Sequence, residues 1–169
     1  KYAAVSASEV SAEQKHMTKF DKIKLENLLR DFDVVFDGKL GLYPHEQIHL
    51  DLIPGSVPVA QRPYAVAHKN EEVFKDELKH LCNEQVLEEA GPSEWGSPSM
   101  ITSKKDGSVR WISDFRELNK CLLRKQYPMP RIFNIMQKRK GYSHFTKIDL
   151  SMFFYCFELD EESRALTTI

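Results

Sequence analysis

The sequence predicts an α+β fold that occupies one domain or part of one. Apolar residues recur at helical spacing in two segments, whereas apolar and polar residues alternate in a third. An Asp-Gly pair lies between two short strand-like runs, which is a strong hairpin signal. The 169 residues match one ordinary domain of ~100–200 residues. The 41% apolar and 29% charged residues are typical of globular proteins and argue against a disordered or fibrous chain.

The N-terminal region is predicted to hold one helix behind a tail without fixed structure. The first 18 or so residues are rich in Ala, Ser, Glu and Gln and show no sustained apolar period. Between Phe20 and Phe36, apolar residues recur at roughly helical spacing, and Asp37-Gly38 supplies a C-terminal stop. We therefore expect a flexible N-terminus plus a linker helix over residues 1–43.

A strand and a second helix are predicted next. Residues 44–54 alternate between apolar and polar types and end in a Pro54-Gly55 turn, which favours a short strand. Pro58 and Pro63 keep the following stretch extended, because proline fixes φ and restrains its predecessor. An apolar stripe over residues 70–89 predicts a helix capped by Asn70 and ended by Gly91-Pro92.

A hairpin dominates the second half of the chain. Ser99–Ser103 and Val109–Ser113 are its predicted strands, around the sequence Lys104-Lys105-Asp106-Gly107-Ser108. Lys104 and Lys105 would lie at the tip, with Arg110 just inside the returning strand. Three more elements are expected, a helix at 132–138 and strands at 144–150 and 154–159.

Charge is distributed unevenly along the chain although the formal net charge is only −1. Residues 1–98 carry a net −6, residues 104–147 carry 12 basic and three acidic residues for a net +9, and the remainder from Ile148 carries −4. A basic block followed by an acidic cluster suits a polyanion surface next to a cation site. A solvated charged face fits the charge pattern about as well.

The cysteines and the hydropathy of the sequence indicate which cellular compartment the protein is expected to occupy. Cys82, Cys121 and Cys156 are odd in number, far apart and free of any CxxC pair, which argues against disulfides or a cysteine zinc site. Reduced, buried thiols in a cytosolic protein are the better interpretation. No apolar run approaches the ~18 residues of a membrane span, and no leader-like segment opens the chain.

One motif, His45-Glu46-Gln47-Ile48-His49, matches the HExxH signature of zinc proteases. That chemistry needs a helix that places two histidines one turn apart on the metal, with the Glu activating water. Here the surrounding alternation favours a strand, on which residues four apart are separated by about 13 Å, too far to share one zinc at ~2.1 Å. We therefore expect solvent-facing polar residues and no zinc.

From Pro44 onward the chain contains a series of short stretches that are each weakly specific alone. These stretches are Pro54-Gly55, Gln61-Arg62-Pro63-Tyr64, Ser93-Glu94-Trp95-Gly96-Ser97-Pro98, Lys104-Lys105-Asp106-Gly107-Ser108, Asp114-Phe115-Arg116-Glu117-Leu118-Asn119-Lys120, Tyr127-Pro128-Met129-Pro130-Arg131 and Phe145-Thr146-Lys147-Ile148-Asp149-Leu150-Ser151. In their order and spacing they resemble the start of the reverse transcriptase of Gypsy-like long-terminal-repeat retrotransposons, and the resemblance covers about three-quarters of the chain.

The resemblance implies the fingers and first palm strands of a right-hand polymerase, as a partial reverse transcriptase domain over 44–169. In such enzymes two magnesium ions promote attack of a primer 3′-hydroxyl on a nucleoside triphosphate. Asp149 matches the first metal-binding aspartate, and the backbone carbonyl of Leu150 is a further candidate ligand. Phe154 matches the aromatic gate that rejects ribonucleotides.

The basic residues of the predicted hairpin match the family's triphosphate grip. Arg110, with Lys104 or Lys105, would bind the triphosphate, because Arg forms planar bidentate hydrogen bonds and Lys acts as a point charge. Arg116 would be a template-side or structural residue. Without the resemblance, an ordinary exposed hairpin and a strand-end carboxylate at Asp149 are the simpler interpretations.

The most important departure from the family is that the sequence contains no Asp-Asp pair and so lacks the Tyr-x-Asp-Asp turn; the rest of the palm, the thumb and the RNase H domain are also missing from it. We expect this chain alone to be inactive. Two hypotheses stay open: a fragment of an RNA-directed DNA polymerase from a retrotransposon Pol polyprotein, or a catalytically inactive remnant that serves as a nucleic-acid-binding or structural subunit. The resemblance implies template–primer, dNTP and the remaining Pol polyprotein as partners, no membrane, and a cytoplasmic location that includes virus-like particles with access to the nucleus.

Overall fold

Helices and one β-hairpin make up the regular structure of the computed structural model, which describes residues 4–105 and 107–169. The described residues divide into two compact units. The first unit comprises Lys1–Glu46 and Leu150–Glu158, and the second comprises Gln47–Asp149 and Leu159–Ile169. Each unit therefore contains residues from two separate stretches of the chain.

The first unit begins with two helices, α1 (Ala7–Glu13) and α2 (Lys19–Asp31), which pack against each other. The Ser6 hydroxyl accepts a hydrogen bond from the backbone of α1, and Lys22 Nζ of α2 donates to the carbonyl of Ala12 at 3.0 Å. The expectation that the first 18 residues lack structure is therefore wrong. A side-chain cap and contact with α2 stabilise a helix too short for its periodicity to show in the sequence.

The predicted helix at 20–36 is confirmed over most of its length. Thr18 caps α2, and the chain leaves α-helical geometry at Phe32, where φ is −117°. Asp33–Phe36 then form a 3-10 turn, a tighter helix often found at the end of α-helices.

In the second unit, helix α3 (Glu71–Asn83) ends earlier than the predicted Glu89. Gln85 adopts a left-handed φ of 59°, and the backbone N–H groups of Val86 and Leu87 both donate to the carbonyl of Leu81. These bonds satisfy the Leu81 carbonyl, which the ending helix leaves open, so termination does not require Gly91-Pro92. Asn70 occupies the N-cap position without a side-chain capping bond.

The hairpin of β1 (Ser99–Ser103) and β2 (Val109–Ser113) has the predicted bounds. Its antiparallel register pairs Thr102 with Arg110 and Ile101 with Trp111. Gly107 has φ +82°, which glycine adopts readily, while the predicted turn residue Asp106 lies outside the described residues. Trp111 packs on Phe74 of α3 with 4.7 Å between ring centroids, so one face of the hairpin covers the core.

Buried residues of the second unit include Leu81, Trp95, Trp111 and Leu118. Leu118 belongs to helix α4 (Arg116–Cys121), which directly follows the hairpin and is absent from the sequence-based expectations. The predicted strand at 44–54 instead forms single bridges, Ile48 to Leu159 and Leu52 to Leu122. The Pro54-Gly55 turn is confirmed, with φ +82° at Gly55.

The final stretch differs most from expectation. Helix α5 (Ile132–Gln137) is confirmed, but residues 144–150 form no strand, and Phe153–Cys156 form a 3-10 turn where a strand was expected. A strand needs a hydrogen-bonded neighbour, and the described residues provide none to 144–150. The chain ends with helix α6 (Glu161–Leu166), which Asp160 caps.

The structure also shows the state of the cysteine thiols and the length of the apolar helices. All three cysteines are free thiols as predicted, but Cys82 is exposed and Cys121 and Cys156 are half-buried, so the expectation of buried thiols is wrong. Within residues 4–105 and 107–169, no helix is long and apolar enough to cross a membrane.

Candidate functional site

The hairpin tip gathers three of the predicted site residues. Lys104 and Lys105 lie in the connection and are exposed, and Arg110 is exposed on β2 opposite Thr102. Because neighbouring residues of a strand point to opposite faces, Arg110 and Trp111 project away from each other. The packing of Trp111 against the core therefore directs Arg110 outward, where the three cations can meet a polyanion.

Arg116 is held in place by a buried carboxylate. Its Nε donates to Asp114 Oδ1 at 2.8 Å and its Nη2 donates to Asp114 Oδ2 at 2.6 Å. Asp114 retains only 8% exposure, whereas the side chain of Arg116 is 79% exposed. Tyr64 donates its hydroxyl to the same carboxylate at 2.6 Å. Asp114 thus joins the segment around Tyr64 to the start of α4.

The electrostatics of this cluster follow from its hydrogen bonds. The Arg116 guanidinium, followed by the Tyr64 hydroxyl, holds the pKa of Asp114 well below its usual range. In return, the Asp114 carboxylate raises the pKa of Arg116 above its usual value. Arg116 is therefore a fixed cation whose Nη1 amino group takes no part in these bonds.

A groove beside α4 extends the basic surface. Its volume is about 450 Å³, and its lining residues are Ile53, Arg116, Asn119, Lys120, Leu122 and Arg124. Lys120 also pairs with Glu117 at 2.8 Å. The sequence analysis did not single out Lys120 and Arg124. The available signal for Lys120 was its four-residue spacing from Arg116, which is typical of one face of a helix, whereas Arg124 lies beyond the end of α4 and had no such signal.

The three residues assigned to catalysis are exposed to solvent, namely Asp149, Leu150 and Phe154. Asp149 has no regular secondary structure, and Phe154 is 86% exposed in the 3-10 turn. Asp149 belongs to the second unit, while Leu150 and Phe154 belong to the first. The expected position of Asp149 at the end of a strand is therefore wrong for this structure, because that strand does not form.

The described residues do not fit a two-magnesium centre. Among residues 4–105 and 107–169, no group of three or more His, Cys, Asp or Glu side chains is arranged to hold a metal ion. Two metal ions need several carboxylate oxygens converging on one place. Asp149 alone does not meet that requirement.

The two histidines of the HExxH motif lie on a segment without helix. His45 packs edge-on against Tyr43 with 5.2 Å between ring centroids. His49 instead has Asp160 as a hydrogen-bond partner. The helical geometry that this zinc signature requires is thus absent from 45–49, in agreement with the predicted extended chain.

The fold is similar to that of solved viral protease–reverse transcriptases. The structure is similar to a solved prototype foamy virus protease–reverse transcriptase, with a TM-score of 0.76 and 22% identity over 95% of this chain and 22% of that chain. A foamy viral protease–reverse transcriptase solved in complex with double-stranded DNA gives 0.70 and 21% identity over 93% of this chain and 28% of that chain. The mixed α+β fold is thus the fold of part of these protease–reverse transcriptases, which confirms the predicted fold class.

Three sequence relatives include two transposon polyproteins. The Pol polyprotein of transposon 297 of Drosophila melanogaster is 27% identical over 90% of this chain and 15% of its own length. An uncharacterised Caenorhabditis elegans protein is 31% identical over 86% of this chain and 12% of its own length. The transposon Tf2-3 polyprotein of Schizosaccharomyces pombe is 28% identical over 56% of this chain and 7% of its own length. No family model matches the sequence.

This chain is therefore similar in sequence to retroelement Pol polyproteins and shares the fold of part of the foamy viral protease–reverse transcriptases, in agreement with the resemblance found in the sequence. It spans 15% or less of the length of the three relatives described above.

Proposed function

We propose that the chain is the part of an RNA-directed DNA polymerase that binds the incoming nucleotide and the template. The observation that supports this most is the outward cluster of Lys104, Lys105 and Arg110 on a hairpin packed against the core through Trp111. Its solved structural relatives are protease–reverse transcriptases. Exposed cations that project from a rigid support suit a ligand with several phosphates.

Each basic group has a separate role in this proposal. Arg110 and one hairpin lysine bind the triphosphate of the incoming nucleotide, Arg110 by bidentate hydrogen bonds and the lysine as a point charge. Arg116 is a template-side or structural residue in this proposal, since Asp114 fixes its guanidinium while most of the side chain stays exposed and accessible to a template phosphate. Phosphate contacts of this kind position a nucleic acid without reading its sequence.

The catalytic part of the proposal depends on the resemblance. It assigns Asp149 and the Leu150 carbonyl to a magnesium site, which would supply charge neutralisation at the reacting phosphate. Phe154 is the proposed steric gate against the ribose 2′-hydroxyl. Since the described residues assemble no metal centre, we propose binding for this chain itself and nucleotide transfer only for a protein that supplies the other carboxylates.

A second candidate function follows from the same finding. A chain whose described residues gather no metal-holding cluster could serve as a catalytically inactive, nucleic-acid-binding or structural subunit of a larger assembly. This candidate needs the basic surface but assigns no role to Asp149 or Phe154.

Nucleotide incorporation separates the two candidates. The chain alone should incorporate no nucleotide, whereas the chain extended through the palm and thumb of a related retroelement enzyme should gain magnesium-dependent activity. In that extended protein Asp149→Asn should abolish incorporation and leave template–primer binding nearly intact, since it removes a metal ligand and little volume. Phe154→Ala should keep activity and admit ribonucleotides. Near-normal incorporation by Asp149→Asn would refute the catalytic assignment, and an inactive extended protein would favour the inactive subunit.

A further inference from the structure

A hydrogen-bonded joint outside the proposed interface connects the extended segment 48–52 to residues 159–163. Ile48 bridges Leu159 in a parallel arrangement, and the backbone N–H of Asp160 donates to the carbonyl of Ile48 at 3.2 Å. The backbone N–H of Leu50 donates to Ser163 Oγ at 2.8 Å. Ser163 is fully buried with 0% exposure, so water cannot readily replace this bond.

His49 lies between two carboxylates at this joint. Its Nδ1 is 2.5 Å from Asp160 Oδ2, and its Nε2 is 3.7 Å from Asp51 Oδ1. A neutral imidazole has one N–H donor, so one ring nitrogen would turn a lone pair towards a carboxylate. The protonated ring donates from both nitrogens. The geometry therefore favours the imidazolium form of His49.

Asp160 has a second partner that fixes its position. Its Oδ1 accepts from the backbone N–H of Ser163 at 2.8 Å, which caps α6. The Ser163 hydrogen bonds, with a smaller contribution from His49, lower the pKa of Asp160 to about 2. A carboxylate with so low a pKa stays ionised at neutral pH and remains a constant partner for the His49 ring.

Asp51 and Glu162 also carry charges that act on His49, and Lys125 acts on Asp51. Lys125 Nζ pairs with the Asp51 carboxylate at 2.5 Å, and this hydrogen bond lowers the pKa of Asp51. The hydrogen bond to Asp160 is the largest of the influences that raise the pKa of His49, ahead of the charges of Asp51 and Glu162. The His49 ring is 49% exposed, so solvent screens part of this attraction.

We propose that His49, Asp51 and Asp160, which we call the His49 clasp, form a proton-dependent joint that holds α6 against segment 48–52. The clasp is closed when the imidazole is charged and loosens when the ring loses its proton. Because folding raises the proton affinity of His49, the stabilisation is complete below the ordinary value of 6.5 and is lost as pH rises through the higher value of the folded state.

Amide hydrogen exchange of the full chain tests the clasp at two sites. The N–H groups of Leu50 and Ser163 report its two sides, since they donate to Ser163 Oγ and Asp160 Oδ1. After correction for intrinsic rates, we expect protection at both to fall about two- to fivefold from about pH 6 to about pH 8.5, a range suited to half-exposed ion pairs. His49→Gln should remove this pH dependence.

The matched control is His68→Gln, because His68 also lies near a carboxylate, Glu71 at 3.4 Å, but is 96% exposed and outside the joint. This variant should keep the wild-type pH dependence at Leu50 and Ser163. Equal pH dependence in wild type and His49→Gln would overturn the proposal, as would its loss in the control.

A measurement on the wild-type chain covers the case in which His49→Gln fails to fold. The ring resonances of His49 should titrate with a midpoint above that of an unfolded-chain histidine, ~6.5. Asp51→Asn should lower this midpoint, because it removes one of the two facing carboxylates and leaves the cap of α6 in place. A wild-type midpoint at or below the unfolded value would also overturn the clasp.

Discussion

Replacing the hairpin cations Lys104, Lys105 and Arg110 by Ala should weaken template–primer binding and reduce its salt dependence. All three side chains are exposed at one end of the hairpin, so we expect three phosphate contacts to be lost and the fold to be kept. Each contact with duplex DNA contributes about −0.9 to the slope of log K against log salt, so the slope should become less steep by about 2.7. From about 50 mM to about 200 mM salt, the wild-type affinity should therefore fall about 40-fold more than that of the variant.

Fluorescence anisotropy with a labelled template–primer, repeated across this range of salt, measures both slopes. A matched control replaces Lys15, Lys19 and Lys39 by Ala, which removes the same charge from exposed positions of the first unit. Circular dichroism should show that both variants keep the wild-type fold. A hairpin variant with an unchanged slope, or a control that loses as much slope, would refute the reasoning that the hairpin binds phosphates.

The remaining predictions concern stability and metal. Leu81→Ala should lower the free energy of unfolding by about 2–5 kcal/mol, since Leu81 is 2% exposed, whereas Val57→Ala, at 72% exposure, should change it by less than about 0.5 kcal/mol; urea denaturation measures both. Asp114→Asn should make the unfolding free energy fall less steeply as the pH is lowered. Folding lowers the pKa of the Asp114 carboxyl, so its contribution to stability is present above the ordinary pKa of 3.8 and is lost as pH falls below that value. Thermal unfolding between about pH 6 and about pH 3 tests this. Elemental analysis of the purified chain should find no stoichiometric zinc, and one zinc per chain that disappears in His45→Ala would contradict the reading of the HExxH segment.

Local chemistry explains which elements the sequence could predict. The hairpin bounds agree with the prediction because the signal is local, with Gly107 in the connection between two short strand-like runs that pair from Ser103 to Val109. Helix α5 follows a proline-rich turn and is also locally encoded. The start of α6 had a readable signal as well, an Asp160 cap followed by two glutamates, but the alternation of the preceding residues favoured a strand.

Elements that depend on distant partners were not predictable in the same way. The alternating pattern at 144–150 fits a strand, yet a strand forms only beside a hydrogen-bonded neighbour, which the described residues do not provide there. The division of 48–52 into isolated bridges likewise depends on contacts with Leu159 and Leu122.

In the candidate site, too, contacts between residues that are distant in sequence could not be predicted. The hairpin cations follow from motif order, since they are close in sequence. The pairing of His49 with Asp160 joins residues 111 positions apart, and the contact of Tyr64 with Asp114 joins residues 50 apart. Neither pair has a periodic or spacing signal, because only folding brings the partners together.

The fixing of Arg116 by Asp114 distinguishes two kinds of cation on this surface. A lysine at the hairpin tip must restrict several rotatable bonds when it contacts a phosphate, which costs conformational entropy at the moment of binding. The Arg116 guanidinium is already oriented by two hydrogen bonds, so much of that entropy is lost on folding instead. In the proposed function, the tip lysines therefore attract a nucleic-acid strand from solution at a salt-dependent rate, and Arg116 determines the dissociation rate and the position of the bound nucleic acid.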